Sequence, residues 1–216
     1  ADVSIAAGGT IDVDARGYDA GLGPGSGSSR GSPASGSGAG HGGLGGLGSS
    51  NTTSGGVYGS ILEPTALGST GGTGAGGAGG KGGGVVRLVV GGTLRIDGSI
   101  TANGANATNS RAGGGSGGSV WLSAQTISGT GSLSANGGAG EPIHGGGGGG
   151  GRIATYFTTN SFSGTTTAQA GTGFVTGGAG TIYTRNLSQP VGHLLVDNGG
   201  RSGAHTPLAA PDPFDL

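Results

Sequence analysis

Four histidines, at 41, 144, 193 and 205, and ten acidic residues are the groups in this chain able to move protons or hold metal ions. The histidines share no spacing that would bring them onto one ion, and Glu141 and His144, on either side of Pro142, make a weak loop pair. Asp12, Asp14 and Asp19 offer the hard oxygens that Ca²⁺ takes, but without the recurring Asp of a calcium-bound repeat they read as solvated turn carboxylates. The run Gly74-Ala75-Gly76-Gly77-Ala78-Gly79 has dinucleotide-loop spacing, yet no strand leads into it and no helix follows to aim amides at a pyrophosphate. Lys81 is followed by Gly82, where a phosphate loop needs Ser or Thr. Ser116 sits in Gly114-Gly115-Ser116-Gly117-Gly118 with Asp197 and His205 downstream in hydrolase order, but nothing predicts the strand–turn–helix that exposes such a nucleophile. Polysaccharide-cleaving enzymes need clustered carboxylates beside a groove. The repeat region supplies Asp97 at its edge and Glu141 within it. No catalytic residue, metal or cofactor is therefore expected. Asn51, Asn106 and Asn186 each open an Asn-x-Ser/Thr triplet and are candidate glycan acceptors.

The frame that must position any of these groups is a repeat. Gly98-Ser99-Ile100-Thr101-Ala102-Asn103-Gly104 returns as Gly131-Ser132-Leu133-Ser134-Ala135-Asn136-Gly137 and again as Gly164-Thr165-Thr166-Thr167-Ala168-Gln169-Ala170, 33 residues apart each time. The same step carries Leu94 onto Ile127, Val89 onto Leu122, Val120 onto Ile153 and Leu122 onto Thr155, with one poor match, Arg87 on Val120. Segments this rich in Gly, Ser, Thr and β-branched residues cannot supply the two helices that a helical repeat of similar length requires. Three short strands per turn with Gly at the joints predict an all-β fold, a parallel β-helix whose inward positions are Val89, Leu94, Ile100, Leu122, Ile127, Leu133 and Ile153. Asn103, Asn136 and Gln169 take one corner of successive rungs. This resembles the asparagine ladder of pectate-lyase-type β-helices, although Asn-Gly is also ordinary turn chemistry.

Residues 1–16 read as a first rung, since Gly9-Thr10-Ile11 echoes Gly98-Ser99-Ile100; 85–200 carry the remaining rungs, and 201–216 form an extended, Pro-containing tail. Between them, 17–84 are mostly Gly and Ser and too long for an ordinary loop. Either they are a flexible linker, or they pack on the solenoid with the Gly runs of each repeat as side-by-side polyglycine-II-like strands, which the once-per-repeat placement of those runs favours. Val, Ile, Leu and Phe make up less than a fifth of the 216 residues while Gly supplies 61, and a net charge of −1 is too small to explain that poverty by disorder. A narrow solenoid with a thin apolar core reconciles the two. There is no surplus of Lys or Arg for a nucleic acid, no apolar run of membrane-spanning length, and neither Cys nor Met, which suits an extracellular or cell-surface location. Ala1 running straight into Asp2-Val3-Ser4-Ile5 is compatible with a processed end.

Gly117-Gly118-Ser119-Val120-Trp121-Leu122, Ser134-Ala135-Asn136-Gly137-Gly138, the Gly run before Arg152-Ile153-Ala154, and Leu195-Val196-Asp197-Asn198-Gly199-Gly200 resemble Gly-rich repeat modules of very large secreted or surface-attached bacterial proteins. The resemblance implies a structural or adhesive module with no catalytic residue to carry over. Open solenoid ends invite another strand, so head-to-tail self-association is expected, with Val3 and Ile5 at one end and Phe214 and Leu216 at the other. The competing class is a glycan-binding adhesin in which outward Trp121, or Tyr58, Tyr156 or Tyr183, stacks on sugar rings. A third, ice binding through Thr rows such as 165–167, lacks repetition of those rows in the other rungs.

Overall fold

A computed structural model describes residues 1–208, so Phe214 and Leu216 lie outside the described residues. Thirteen strands and no helix are present among them: β1 (Val3–Ile5), β2 (Thr10–Asp12), β3 (Ser29–Arg30), β4 (Ser35–Gly36), β5 (Val85–Ile96), β6 (Ser99–Thr101), β7 (Ser119–Gly129), β8 (Ser132–Ser134), β9 (Arg152–Phe157), β10 (Thr159–Phe162), β11 (Thr165–Thr167), β12 (Thr181–Asn186) and β13 (His193–Leu195). One sheet runs β1-β5-β7-β9-β12-β13 with β10 also on β7, a second runs β2-β6-β8-β11, and β3 and β4 form a small hairpin. Every pairing is parallel except β12 with β13 and β3 with β4. The chain is a β-solenoid of about three turns, as its repeat predicts.

Equivalent side chains stand above one another. Ile11, Ile100, Leu133 and Thr166 align through the second sheet, and Leu94 aligns with Ile127 in the first. Leu94, Ile100, Leu122, Ile127, Leu133 and Ile153 are all buried and form one apolar column with Ile5, Val86, Val90, Val120, Ile96 and Ile182. Val89 does not join it. The register slips between Val90 and Thr93, where Gly91 and Gly92 stand opposite the single residue Gln125, so upstream of this bulge the step is 34 residues rather than 33. Val86 then meets Val120, Leu88 meets Leu122, and Val89 turns outward, 62% exposed. The same slip sets Arg87 beside Trp121 and accounts for the poor match of Arg87 to Val120.

The Gly runs are buried and their backbone groups engage one another. Along 113–118 the N–H groups donate in turn to Gly72, Gly146, Ala105, Ser69, Gly149 and Ala102, so the first three directions are repeated by the second three. Along 36–41 the acceptors are Arg111, Ser28, Gly46, Gly114, Gly25 and Gly43, with the same period. A partner direction that recurs every third residue belongs to backbone with three residues per turn, which makes no bonds within itself and donates to neighbours on three sides. Residues 35–43, 113–118 and 145–151 are buried. A Cβ built on Gly38 would overlap the carbonyl of Gly147, and one on Gly113 that of Ser37, so the spacing of these runs is set by the missing side chain.

Candidate functional site

One corner of the solenoid carries a continuous ladder. The Asn103 N–H donates to Asp14 Oδ1 (2.6 Å), the Asn136 N–H to Asn103 Oδ1 (2.8 Å) and the Gln169 N–H to Asn136 Oδ1 (2.7 Å). Each side-chain oxygen thus satisfies a backbone donor of the next rung, instead of amide stacking on amide. Asn136 Nδ2 donates to Thr167 Oγ1 (3.0 Å), and Arg201 donates to Gln169 Oε1 (2.5 Å) at the far end. Asp14 was not legible as the first member because 89 residues, not 33, separate it from Asn103. Replacing Asn136 by Ala leaves the half-buried Gln169 N–H without its acceptor, and the expected loss is about 2 kcal/mol of unfolding free energy in urea titration. Asn136→Asp keeps the acceptor and is expected to recover part of it.

Beside the ladder, the outer face of the second sheet carries hydroxyls at every outward position but Asp12. One row is Thr10, Ser99, Ser132 and Thr165; the other is Asp12, Thr101, Ser134 and Thr167. Ser stands where a search for Thr alone finds no repetition, and the first-rung members are displaced by the insertion. Thr10 and Ser99 hydroxyls bond each other at 2.8 Å. An open groove of about 420 Å³ follows the first row, bounded by Gly9, Gly98 and Gly131 backbone and by Asp97 and Thr130.

The first sheet presents a different exterior. Trp121 is half-buried in a cluster with Ile61, Leu62, Ala154, Tyr156, Tyr183 and Leu194, and the Arg87 guanidinium lies over its ring, 4.4 Å from the centroid. Tyr156 donates to the Leu62 carbonyl (2.8 Å) and Tyr183 is buried, so segment 57–67 covers the aromatic row. The ring of Tyr58 stacks on His41 (4.6 Å between centroids), and its hydroxyl donates to the Leu67 carbonyl (2.6 Å); burial pushes that phenol up to about 12. His41 itself is fully buried, with Nδ1–H donating to the Gly117 carbonyl (2.8 Å) and Nε2 facing no partner. Arg152, also buried, donates to the Tyr58 carbonyl (2.9 Å) and Thr181 Oγ1 (3.1 Å).

The motif candidates stay apart. Ser116 is buried and its Oγ accepts the Ser69 N–H (2.8 Å), while Asp197 accepts the Gly199 N–H of its own turn (2.8 Å). The His205 carbonyl takes the Leu44 N–H, and no bond joins the side chains of Ser116, Asp197 and His205. Asp19 pairs with Lys81 (2.5 Å), which holds its carboxyl below the usual range. Asp12 accepts the Asp14 N–H (2.8 Å). Burial raises Glu141, but the Ile143 and His144 N–H groups and the His144 ring 3.5 Å away bring it lower overall. Among the described residues no three His, Cys, Asp or Glu gather to hold a metal ion, and no helix is long and apolar enough to cross a membrane. Asn51 is buried, with Nδ2 donating to the Ser28 carbonyl (3.1 Å), which leaves no room for a sugar on that nitrogen; Asn106 is exposed and Asn186 half-buried. Val3 is 37% exposed on the edge strand β1, and Ile5 beside it enters the core. No protein-family model, curated protein or solved structure matches this chain.

Proposed function

We propose that the chain is a non-enzymatic structural module of an extracellular or cell-surface protein that associates end to end with further copies of itself. The observation that carries this reading is the pair of edge strands β1 and β2, each bonded to a parallel neighbour on one side only. A parallel edge is a template for the next strand. At the opposite end β11 is also an edge, and Leu187, Val191, Leu195 and Val196 stand 41–57% exposed around β13. The two ends differ, so the contact is heterologous and builds open fibres instead of closed dimers. The tail 209–216 is the second candidate for the joint. Purified protein is expected to give concentration-dependent polymers in light scattering, and Val3→Lys, which places a charge on the β1 edge, is expected to return monomers. Deletion of 207–216 tests the tail in the same assay. Wild-type protein that stays monomeric at every concentration sinks the reading.

A further inference from the structure

We infer that the outer face of the second sheet, over β2, β6, β8 and β11, binds a neutral linear polysaccharide lying across the rungs. Seven of the eight outward positions on these strands are Ser or Thr, and the eighth is Asp12. The first sheet is mixed by comparison: one outward row reads Arg87, Trp121, Ala154, Tyr183, while further along its strands Thr93, Thr126 and Thr159 align beside Arg95, Ser128 and Ser161. Thr favours strands through its branched side chain, but Ser has no such advantage, so strand preference does not account for Ser99, Ser132 and Ser134.

The geometry fits a repeating ligand. Adjacent rungs are about 4.8 Å apart, and residues two apart on a strand about 6.7 Å. The surface is therefore a lattice of hydroxyls, able to donate and to accept except where Thr101 donates to Asp12 (3.3 Å) and where Thr10 and Ser99 bond each other, running about 14 Å over four rungs. The ligand must itself repeat and carry both donors and acceptors. No Lys or Arg lines the groove, and Asp97, its one carboxylate, is paired with Arg95 (2.5 Å), so nothing there selects an anion. No apolar side chain lines it either, which excludes a lipid or an apolar peptide face.

Affinity electrophoresis of the intact chain tests this, in native gels containing hydroxyethyl cellulose as the neutral glucan or polygalacturonate as the anionic one. The neutral polymer is expected to retard the protein, and Thr10→Val/Ser99→Ala/Ser132→Ala/Thr165→Val is expected to weaken that retardation roughly tenfold. Ser132→Ala alone, which keeps the fold, is expected to weaken it by about threefold. Retardation unchanged in both variants, retardation by polygalacturonate alone, or no retardation in either gel overturns the proposal. So does altered ice-crystal growth without polysaccharide binding, which would give the lattice to ordered water.

Discussion

A single methyl group added at Gly114 is expected to lower the free energy of unfolding by about 3 kcal/mol, whereas the same methyl at Gly56 is expected to leave it unchanged or raise it by about 0.5 kcal/mol. Both residues belong to Gly-rich segments that composition alone would class as linker. They differ in what surrounds them. The Gly114 N–H donates to the Gly146 carbonyl (2.9 Å) and its carbonyl accepts from Ala39 (3.0 Å), while a Cβ built on it would overlap the backbone of Gly138. Backbone on another hydrogen-bonded run cannot rotate away as the end of a side chain can, so the segments must separate and their shared bonds lengthen. At Gly56 a Cβ meets nothing within 4 Å, and the lost freedom of the unfolded chain is the remaining effect. Urea titration followed by circular dichroism reads both. A cost below about 1 kcal/mol at Gly114 would show that the runs are loose rather than packed.

This contrast also explains how a chain with so few large apolar residues folds. Ordering a Gly costs more backbone entropy than ordering any other residue, and the apolar column, narrow as it is, serves only the sheets. In the Gly bundle the offsetting contribution comes from backbone bonds to neighbours on three sides, reachable because no Cβ holds the runs apart.

The part of this architecture that was legible in the sequence is the part that repeats at a constant step. Ile100 above Leu133 and the corner of Asn103, Asn136 and Gln169 follow from one period, because identical rungs bring identical positions into register. What escaped is what breaks the step. Two glycines opposite one residue moved Val89 out of the core and Leu88 inward, and a Gly pair in a Gly-rich chain gives no signal that it is a bulge. The insertion of 17–84 hid Thr10, Asp12 and Asp14 from the rows they begin. The apolar run at 193–196 looks like another rung, yet β13 turns back antiparallel on β12, since the preceding turn is too short for a parallel return. The burial of His41 near Arg152 depends on side-by-side Gly runs, whose relative order no local pattern encodes.

That buried histidine makes the fold sensitive to mild acid. Loss of solvation in the closed site, followed by the positive charge of Arg152, pushes His41 down from 6.5 to about 3. Above pH 6.5 the ring is neutral whether the chain is folded or not, and it contributes no pH dependence. As the pH falls below that value the unfolded chain takes up a proton that the folded one refuses, so stability declines steadily until the folded pKa is reached. The expected loss through this group is about 2 kcal/mol by pH 5 and about 3 kcal/mol by pH 4. The geometry agrees with the sign: a proton on Nε2 would be a new donor with no acceptor, buried near a guanidinium that donates to Tyr58 and Thr181. Asp19 and Glu141, both held below the ordinary carboxylate range, add acid sensitivity at lower pH. In His41→Asn the amide nitrogen takes the place of Nδ1 toward Gly117, and nothing at that position titrates. Whatever that variant loses at pH 7 through the stack on Tyr58, its unfolding free energy is expected to fall less between pH 7 and 5 than that of the parent, by about 2 kcal/mol. Parallel curves for the two proteins would mean that His41 already has water, or a proton, in its site.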